Sequence, residues 1–235
     1  MNYLVPFFVM LSFLTFGQKE KPKNYRRFDE KLLHFGFMLG GNTSDLSLYT
    51  KTNIYEDFGV VSVANQSGPG GQVGVVTTMK VGTPVVRLRF IPTLSFQERV
   101  IKYQFTDDSY TGDELNDERV SSTSLDFPLM FQFRTLRQNN FAAYVLLGAQ
   151  YSLDLQSQEK ANQSFTDPFI KLKRDDWQGQ VGGGVEFFAT YFKFGIELKF
   201  SHGFKNVLIQ DNTVISNPIN ALYNRVWWIS MIFEG

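Results

Sequence analysis

Apolar and polar residues alternate with a period of two in eight stretches of this chain. The alternation is most regular in the third stretch, where Val86, Leu88 and Phe90 share one face and Arg87 and Arg89 share the other. Such alternation predicts β-strands, because successive side chains of a strand point to opposite faces. The predicted strands run over about 33–43, 71–81, 85–98, 122–133, 141–153, 177–188, 191–201 and 224–233.

The gaps between these strands alternate between short and long. The short gaps are Gly82-Thr83-Pro84, 135–140 and Ala189-Thr190, and the long gaps are about 44–69, 100–118, 154–173 and 204–222. Barrels of outer membranes have short periplasmic turns and longer extracellular loops. The pattern therefore predicts an all-β fold, an eight-stranded antiparallel up-and-down transmembrane β-barrel in the cell outer membrane.

One residue conflicts with the strand pattern. Pro128 falls inside the fourth predicted strand, and a proline cannot donate to the hydrogen-bond ladder of a sheet. Because the alternation on both sides of Pro128 is regular, we expect a bulge or a kink there. The last strand ends in Phe233, and a terminal strand with this ending is typical of outer-membrane barrels.

The N-terminus divides into two segments before the barrel. Residues 1–17 are apolar, are too short for a spanning helix and end in small residues, which predicts a signal peptide. Its first residues lack Lys and Arg, and a buried N-terminal strand or helix is the alternative. Residues 18–31 form a polar periplasmic arm, and the barrel covers 32–235. The arm offers a basic surface for a protein partner, namely Lys19, Lys21, Lys23, Arg26 and Arg27.

Composition narrows the possible functions. The 23 Lys and Arg residues balance the 23 Asp and Glu residues, so no basic excess predicts binding to nucleic acid. The absence of Cys excludes disulfides, thiolate metal sites and cysteine nucleophiles. The 24 Phe residues suit strands that face lipid. We expect no cofactor and no small-molecule substrate.

The inward faces of the predicted strands carry both signs of charge. A small barrel has a lumen that side chains can fill, so we expect these charges to pair and plug it. Asp126 is the expected partner of Arg87 and Arg89 because the third and fourth strands are neighbours, and Gly182 and Gly184 would leave room for the arginines. A substrate path is the alternative. The predicted lumen network consists of Arg87, Arg89, Asp126, Glu186, Lys193, Glu197 and Lys199.

Signals for catalysis are weak. The chain has two histidines, His34 and His202, and a site for a metal ion usually needs more ligands. An acyl-transfer site would need His202, Ser201 and Asp211 to meet at the long-loop rim. No spacing in the sequence favours that arrangement, so we expect a protein that is not an enzyme.

Two segments resemble strands of a large group of Bacteroidetes outer-membrane barrels. The segment 124–131, Ser-Leu-Asp-Phe-Pro-Leu-Met-Phe, resembles their "L-E-x-P-L-L" strand, with Asp126 in place of the usual Glu. The segment 180–187, Gln-Val-Gly-Gly-Gly-Val-Glu-Phe, resembles their "V-G-x-G-x-E-F" strand. These motifs imply the barrel class and say little about function.

The two ends of the chain resemble the PorT proteins. The similarity lies in 24–29, Asn-Tyr-Arg-Arg-Phe-Asp, in 34–42, and in the ending 224–235. PorT proteins belong to the type IX secretion system, which exports cargo with a C-terminal signal domain and supports gliding in some of these bacteria. The resemblance implies a non-enzymatic outer-membrane component that contacts lipid and other secretion subunits, and it transfers no catalytic residue. A generic small barrel for adhesion or envelope integrity, and an outer-membrane lipid-modifying enzyme, are the alternatives.

Overall fold

The structure of the protein is a computed structural model that describes residues 23–105, 117–157, 159 and 169–235, without the side chains of Arg26 and Arg27. The predicted signal peptide lies outside this range. A 3-10 helix, Arg26–Asp29, precedes the barrel, and a short helix α1, Ile54–Phe58, follows its first strand. The strands are β1 (Leu33–Thr50), β2 (Val60–Lys80), β3 (Val86–Phe90), β4 (Thr93–Phe105), β5 (Asp117–Arg134), β6 (Phe141–Asp154), β7 (Asp175–Phe188), β8 (Lys193–Gly203) and β9 (Ile219–Glu234).

The sheet closes into a ring of antiparallel neighbours. β1 pairs with β2 on one side and with β9 on the other, and β5 to β9 pair in chain order. β3 and β4 together form one side of the ring, since both pair with β2 and with β5. The predicted eight-stranded up-and-down barrel is therefore confirmed. Closure leaves no open edge, which matters in a bilayer because unpaired backbone groups there are costly.

Two prolines lie on adjacent chain segments where β3 ends and β4 begins. Phe90 pairs with Leu129 and Thr93 pairs with Asp126, so the register is the same on both sides of the gap. Pro92 and Pro128 lie within the gap, and neither has an N–H to donate. β5 runs unbroken through Pro128, so the predicted bulge or kink in that strand was wrong, and the interruption lies in its neighbour.

A bulge occurs instead in β2, at Gly68-Pro69-Gly70. Ser67 pairs with Arg99 of β4, whereas Gly71 pairs with Phe96, so β2 has one extra residue between these pairs. A Cβ atom on Gly70 would collide with the backbone oxygen of Phe96. Glycine is therefore needed at position 70 for the two strands to approach this closely.

The outward face of the short-turn half is apolar. Large apolar side chains from every side of the ring are exposed there, among them Phe35 and Phe37 on β1 and Ile229 and Met231 on β9. Aromatic rings pair across strands on this face, as Phe37 and Phe233 do at a centroid distance of 4.9 Å. An apolar band with aromatic girdles is what a barrel presents to lipid. No helix in the described part of the chain is long and apolar enough to cross a bilayer.

The strands continue beyond this band, and their polarity is inverted. In β4, Ile101, Tyr103 and Phe105 are buried inside the ring, while Lys102 and Gln104 are exposed outside it. The predicted long loops 44–69 and 100–118 were therefore too long, since much of each is strand. The prediction failed because it searched for apolar residues on the outer face, and water replaces lipid around this half of the barrel.

The turns keep the predicted difference in length between the two rims. β2 and β3, β5 and β6, and β7 and β8 are joined by 81–85, 135–140 and 189–192, at the rim where the chain enters and ends. The opposite rim has α1 with its flanking residues and the longer connections 106–116, 155–174 and 204–218. Gly82 in the first short turn has a φ of 68°, which suits glycine.

The rim assignment predicts which residues are accessible on intact cells. Single cysteines at Asp57 and Asn212 are expected to react with a membrane-impermeant maleimide, whereas a cysteine at Gln138 is not. All three positions are exposed and the chain has no native Cys, so each variant reports one site. Labelling at Gln138 alone would show that the barrel is inserted the opposite way, and lysed cells provide the positive control for all three.

Candidate functional site

Arg89 lies in the short-turn half of the lumen and is fully buried. Its Nη1 donates to Oε2 of Glu197 at 2.7 Å, and its Nη2 donates to Oε1 of Gln132 at 3.1 Å. Nη2 also lies 3.8 Å from Oε1 of Glu186 and 3.7 Å from Oε2 of Glu234. These groups come from β3, β5, β7, β8 and β9. One guanidinium thus connects five strands across the barrel.

Two lysines complete this central ion network. Lys193 Nζ donates to Oε1 of Glu186 at 2.7 Å and also pairs with Oε2 of Glu234. Lys199 Nζ lies 3.2 Å from Oε1 of Glu197. Every one of these side chains is at least nine-tenths buried. The charges therefore offset one another in a region where an isolated charge would be very unfavourable.

Tyr144 packs against the network from β6. Its hydroxyl donates to Oε2 of Glu197 at 2.9 Å, and the guanidinium of Arg89 lies 5.3 Å from the ring centroid. A Cβ atom on Gly184 would meet the hydroxyl oxygen of Tyr144 at 2.5 Å, and one on Gly182 would meet Cγ of Lys199 at 2.8 Å. The two glycines make room for these side chains, and not for arginines as predicted.

Asp126 is not the partner of Arg87 or Arg89, and that prediction was wrong. Its Oδ2 accepts a hydrogen bond from Ser95 at 2.6 Å. The register explains the separation, because Arg89 pairs with Met130 of β5, and Met130 is four residues away from Asp126 on that strand. At a strand rise of about 3.3 Å per residue, Asp126 lies about 13 Å away along β5, toward the long-loop rim.

The residues before β1 close the short-turn mouth of the barrel. Phe28 is fully buried, stacks on His34 at a centroid distance of 3.8 Å and meets Phe188 at 5.5 Å. Oδ1 of Asp29 lies 2.5 Å from Nη2 of Arg134 and 3.2 Å from Nη2 of Arg87. The predicted exposed arm is therefore docked in its second half, because its aromatic ring and its carboxylate both find partners inside the mouth.

The predicted basic surface of the arm is described only in part. Lys23 is exposed. Lys19 and Lys21 lie outside the described residues, as do the side chains of Arg26 and Arg27, whose backbone forms the 3-10 helix. Lys80 lies at the same rim, with its Nζ 3.3 Å from the backbone oxygen of Glu30.

A polar layer occupies the middle of the lumen. Gln180 Nε2 donates to Oε1 of Gln150 at 2.5 Å, and Asn224 Nδ2 donates to Oδ2 of Asp176 at 2.7 Å. A cavity of about 30 Å³ lies in this layer beside Arg99. That volume holds about one or two water molecules. The layer therefore offers no room for a substrate in the described part of the chain.

An apolar cluster fills the lumen at the long-loop end. Connections between strands fold inward, and Ile170, Leu208 and Ile215 pack against inward side chains of the strands. Tyr103 donates its hydroxyl to the backbone oxygen of Ile215 at 2.8 Å. Burial raises the pKa of this phenol well above its usual value, and nearby Glu118 adds to the shift. This half of the barrel has the packed core of a water-soluble protein.

The residues of a candidate catalytic site do not assemble. Ser201 points into the lumen and its Oγ accepts a hydrogen bond from Trp228 Nε1 at 2.9 Å, whereas His202 points to the other face of β8. Asp211 instead pairs with Lys171 at 2.8 Å. The described residues contain no group of three or more His, Asp and Glu side chains that could hold a metal ion.

Several members of the lumen network were not predicted from the sequence. Glu234 follows Phe233, and continuing the alternation by one residue past the predicted strand would have placed its carboxylate inward. Tyr144 also lies at an inward position of its strand. Asp29 precedes β1 and Arg137 follows β5, so the alternation of the strands could not predict where their side chains lie.

Loss of a central carboxylate should strongly destabilise the barrel. Glu197→Gln removes the charge that Arg89 and Lys199 share, and the resulting unpaired buried cation is expected to cost about 3–5 kcal/mol. The measurement is the temperature at which the barrel loses its compact form on unheated gels, or thermal unfolding in detergent.

The matched control is Asp117→Asn, which breaks a surface pair. Lys102 Nζ and Asp117 Oδ2 lie 3.6 Å apart and their side chains are 48% and 39% exposed, so the expected cost is at most about 1 kcal/mol. Equal transitions in the two variants would contradict a lumen held together by paired charges.

Comparison with solved structures finds small outer-membrane barrels. OprG of Pseudomonas aeruginosa is 16% identical, with 86% of this chain and 93% of that chain covered and a TM-score of 0.47. Neisserial surface protein A is 10% identical, with 84% and 95% covered and a TM-score of 0.41. Ail of Yersinia pestis is 10% identical, with 87% and 100% covered and a TM-score of 0.38. No curated protein matches the chain.

Comparison with family models gives a match over most of the sequence. The model described as an outer membrane protein beta-barrel domain matches residues 16–208. The closed ring of eight strands, with its apolar outer band, is the architecture that this description names. The chain therefore belongs to the outer membrane protein beta-barrel domain family, and it is a β-barrel of the outer membrane.

Proposed function

We propose that this protein is a non-enzymatic outer-membrane component of the type IX secretion system and acts by scaffolding or assembly. Its cargo class would be proteins with a C-terminal signal domain. The resemblance of 24–29, 34–42 and 224–235 to PorT proteins suggests the system, and the filled lumen suggests the mode of action.

The filled lumen is the observation that carries the proposal. The ion network around Arg89, the polar layer and the apolar cluster follow one another along the barrel axis. The cavity beside Arg99 measures about 30 Å³, which is far too small for a polypeptide. A barrel of this kind contributes to export through its surfaces, by holding or assembling larger components.

The same geometry supports a protein without catalytic activity. His34 is buried against Phe28, away from the lipid face, and His202 and Ser201 point to opposite faces of β8. A lipid-modifying enzyme would need these groups to converge on a lipid. That alternative therefore has no assembled site within the described residues.

The basic arm is the proposed contact with a secretion partner. We assign 1–17 to a signal peptide, 18–31 to the arm and 32–235 to the barrel. Phe28 and Asp29 anchor the second half of the arm in the mouth, and Lys23 is exposed. The lysines proposed to contact a soluble or membrane-bound partner are Lys19, Lys21 and Lys23.

A role at the cell surface, in adhesion or envelope integrity, is the second candidate. The observation that favours it is the folded long-loop half of the barrel, which has its own apolar core and the helix α1. Such a structured outer half would suit a surface that contacts other cells. Loss of adhesion or of detergent resistance without loss of secretion would identify this function.

Deletion of the gene tests the proposed function directly. Cargo with C-terminal signal domains is expected to accumulate in the periplasm and to disappear from the culture medium. The measurement is immunoblotting of periplasmic and extracellular fractions, with a cargo of another export route as the control. Normal secretion in the deletion strain would refute the proposal.

Neutralising the free part of the arm tests the proposed contact. The triple variant Lys19→Gln, Lys21→Gln and Lys23→Gln keeps Phe28 and Asp29 and should still insert. Each exposed contact contributes about 0.2–1 kcal/mol, so the triple variant should weaken partner binding by about threefold or more. Secreted cargo and co-purification of secretion subunits are the measurements.

The matched control neutralises three exposed cations of the opposite half, in the triple variant Lys102→Gln, Arg119→Gln and Lys205→Gln. Its secretion should match that of the wild type, as should that of His202→Ala. Equal defects in the two triple variants would contradict a specific role of the arm. Loss of secretion in His202→Ala, with normal insertion, would favour an enzyme.

A further inference from the structure

Three arginines converge on one carboxylate at the periplasmic mouth, and we call them the arginine cradle: Arg87, Arg134 and Arg137. Oδ1 of Asp29 lies 3.2 Å from Nη2 of Arg87 and 2.5 Å from Nη2 of Arg134, and its Oδ2 lies 3.9 Å from Nη1 of Arg137. All three arginines are at least nine-tenths buried. The cradle therefore has the charge and the shape of an anion site, with Asp29 as an internal ligand.

The barrel itself holds the cradle in place. Arg87 lies on β3, Arg134 ends β5, and Arg137 lies in the turn that follows. The guanidinium of Arg87 lies over the ring of Phe28 at 4.9 Å, and that of Arg137 lies over Phe188 at 3.9 Å. Arg137 also donates from Nε to the backbone oxygen of Asn139 at 2.8 Å. The three cations are thus fixed in position by strands and aromatic rings.

The carboxylates near the cradle do not balance its charge. Glu186 is the second acid in reach of Arg134, at 3.4 Å, but it also accepts from Lys193. The described lumen network as a whole has four carboxylates against six cations, which are Arg87, Arg89, Arg134, Arg137, Lys193 and Lys199. Within the residues that the structure describes, two positive charges of this buried region therefore remain without a counter-ion.

Unpaired N–H groups in the cradle also indicate that it lacks negatively charged acceptors. Among the described residues, Nε and Nη1 of Arg87, Nε of Arg134 and Nη1 of Arg137 are buried without a hydrogen-bond acceptor. Leaving such groups unpaired is unfavourable, and more so when they are charged. The side chain of Asp29 is 28% exposed, whereas those of the three arginines are 1–3% exposed, so an anion would reach the cradle from the short-turn rim at the position of Asp29.

We propose that the arginine cradle binds a doubly charged tetrahedral oxyanion of the phosphate class, beside Asp29. Guanidinium groups pair with phosphate through several parallel N–H donors, and a dianion matches the two unbalanced charges. The anion is either free phosphate of the periplasm or the phosphomonoester headgroup of a lipid, since both present the same oxygens. This site is independent of the proposed role in secretion.

Calorimetric titration of inorganic phosphate into the full-length barrel in neutral detergent tests the proposal. At constant ionic strength we expect saturable binding to one site in the wild type. Arg137→Gln should weaken it by about tenfold or more, because a charge-assisted donor is lost. Arg119→Gln, an exposed cation at the other rim whose Nη1 lies 3.6 Å from Oε1 of Glu98, is the matched control and should not change it.

Asp29→Asn distinguishes a built site from general attraction to positive charge. It keeps the size of the side chain and removes a neighbouring negative charge, so phosphate should bind about tenfold more tightly. This variant also keeps the proposal testable if Arg137→Gln does not fold. Absence of binding in the wild type, or unchanged or weaker binding in Asp29→Asn, would overturn the proposal.

A titration with mixed micelles that contain phosphatidic acid distinguishes the two sources. Tighter binding of this lipid than of inorganic phosphate, lost in Arg137→Gln, would assign the cradle to a lipid headgroup. Binding no tighter than that of inorganic phosphate would assign it to the free anion. A phosphatidic acid signal that persists in Arg137→Gln would exclude the lipid as a ligand of the cradle.

Discussion

The structure depends on one constraint, that a lumen enclosed by eight strands is too narrow to hydrate the charges inside it. Arg89 therefore has to be neutralised by protein groups, and it reaches carboxylates on β7, β8 and β9 from its position on β3. Neutralisation requires that these strands face one another at the right level, so the ion network and the register determine each other. The ring therefore closes in the register that also pairs the charges in its lumen.

The same constraint explains why Asp29 and Glu234 are built into the lumen. Glu234, the penultimate residue, pairs with Lys193 in the network, and Asp29 reaches into the mouth from the arm. Both carboxylates reduce an excess of positive charge at the short-turn end. The last residue of β9 and a residue of the 3-10 helix before β1 thus supply carboxylates that the other residues of the lumen lack.

Much of the barrel could be predicted from the sequence because lipid on one side imposes a simple alternation. Val86 to Phe90 and Phe192 to Phe200 alternate so regularly that strand, face and inward charge follow at once. The partners could not be predicted this way. Alternation says that Arg89 and Asp126 both point inward, but only the register shows that they lie about 13 Å apart along the direction of the strands.

The outer half escaped prediction for a related reason. There Ile101 and Tyr103 point inward while Lys102 points outward, which is the ordinary pattern of a soluble sheet and the opposite of the pattern in the bilayer. A search for strands with apolar residues on the outer face therefore assigns strands with apolar residues on the inner face to loops. The docked arm has no regular alternation of apolar and polar residues, so the sequence did not indicate that Phe28 and Asp29 lie inside the mouth.

The inversion of polarity along single strands has a consequence for the fidelity of assembly. A slip of one residue between two strands turns every side chain to the opposite face. In this barrel such a slip would push Arg89 into lipid and, on the same side of the ring, Ile101 and Tyr103 into water. A mispaired ring is therefore unfavourable in lipid and in water at once, and the correct register is favoured in both halves of strands such as β1 and β4.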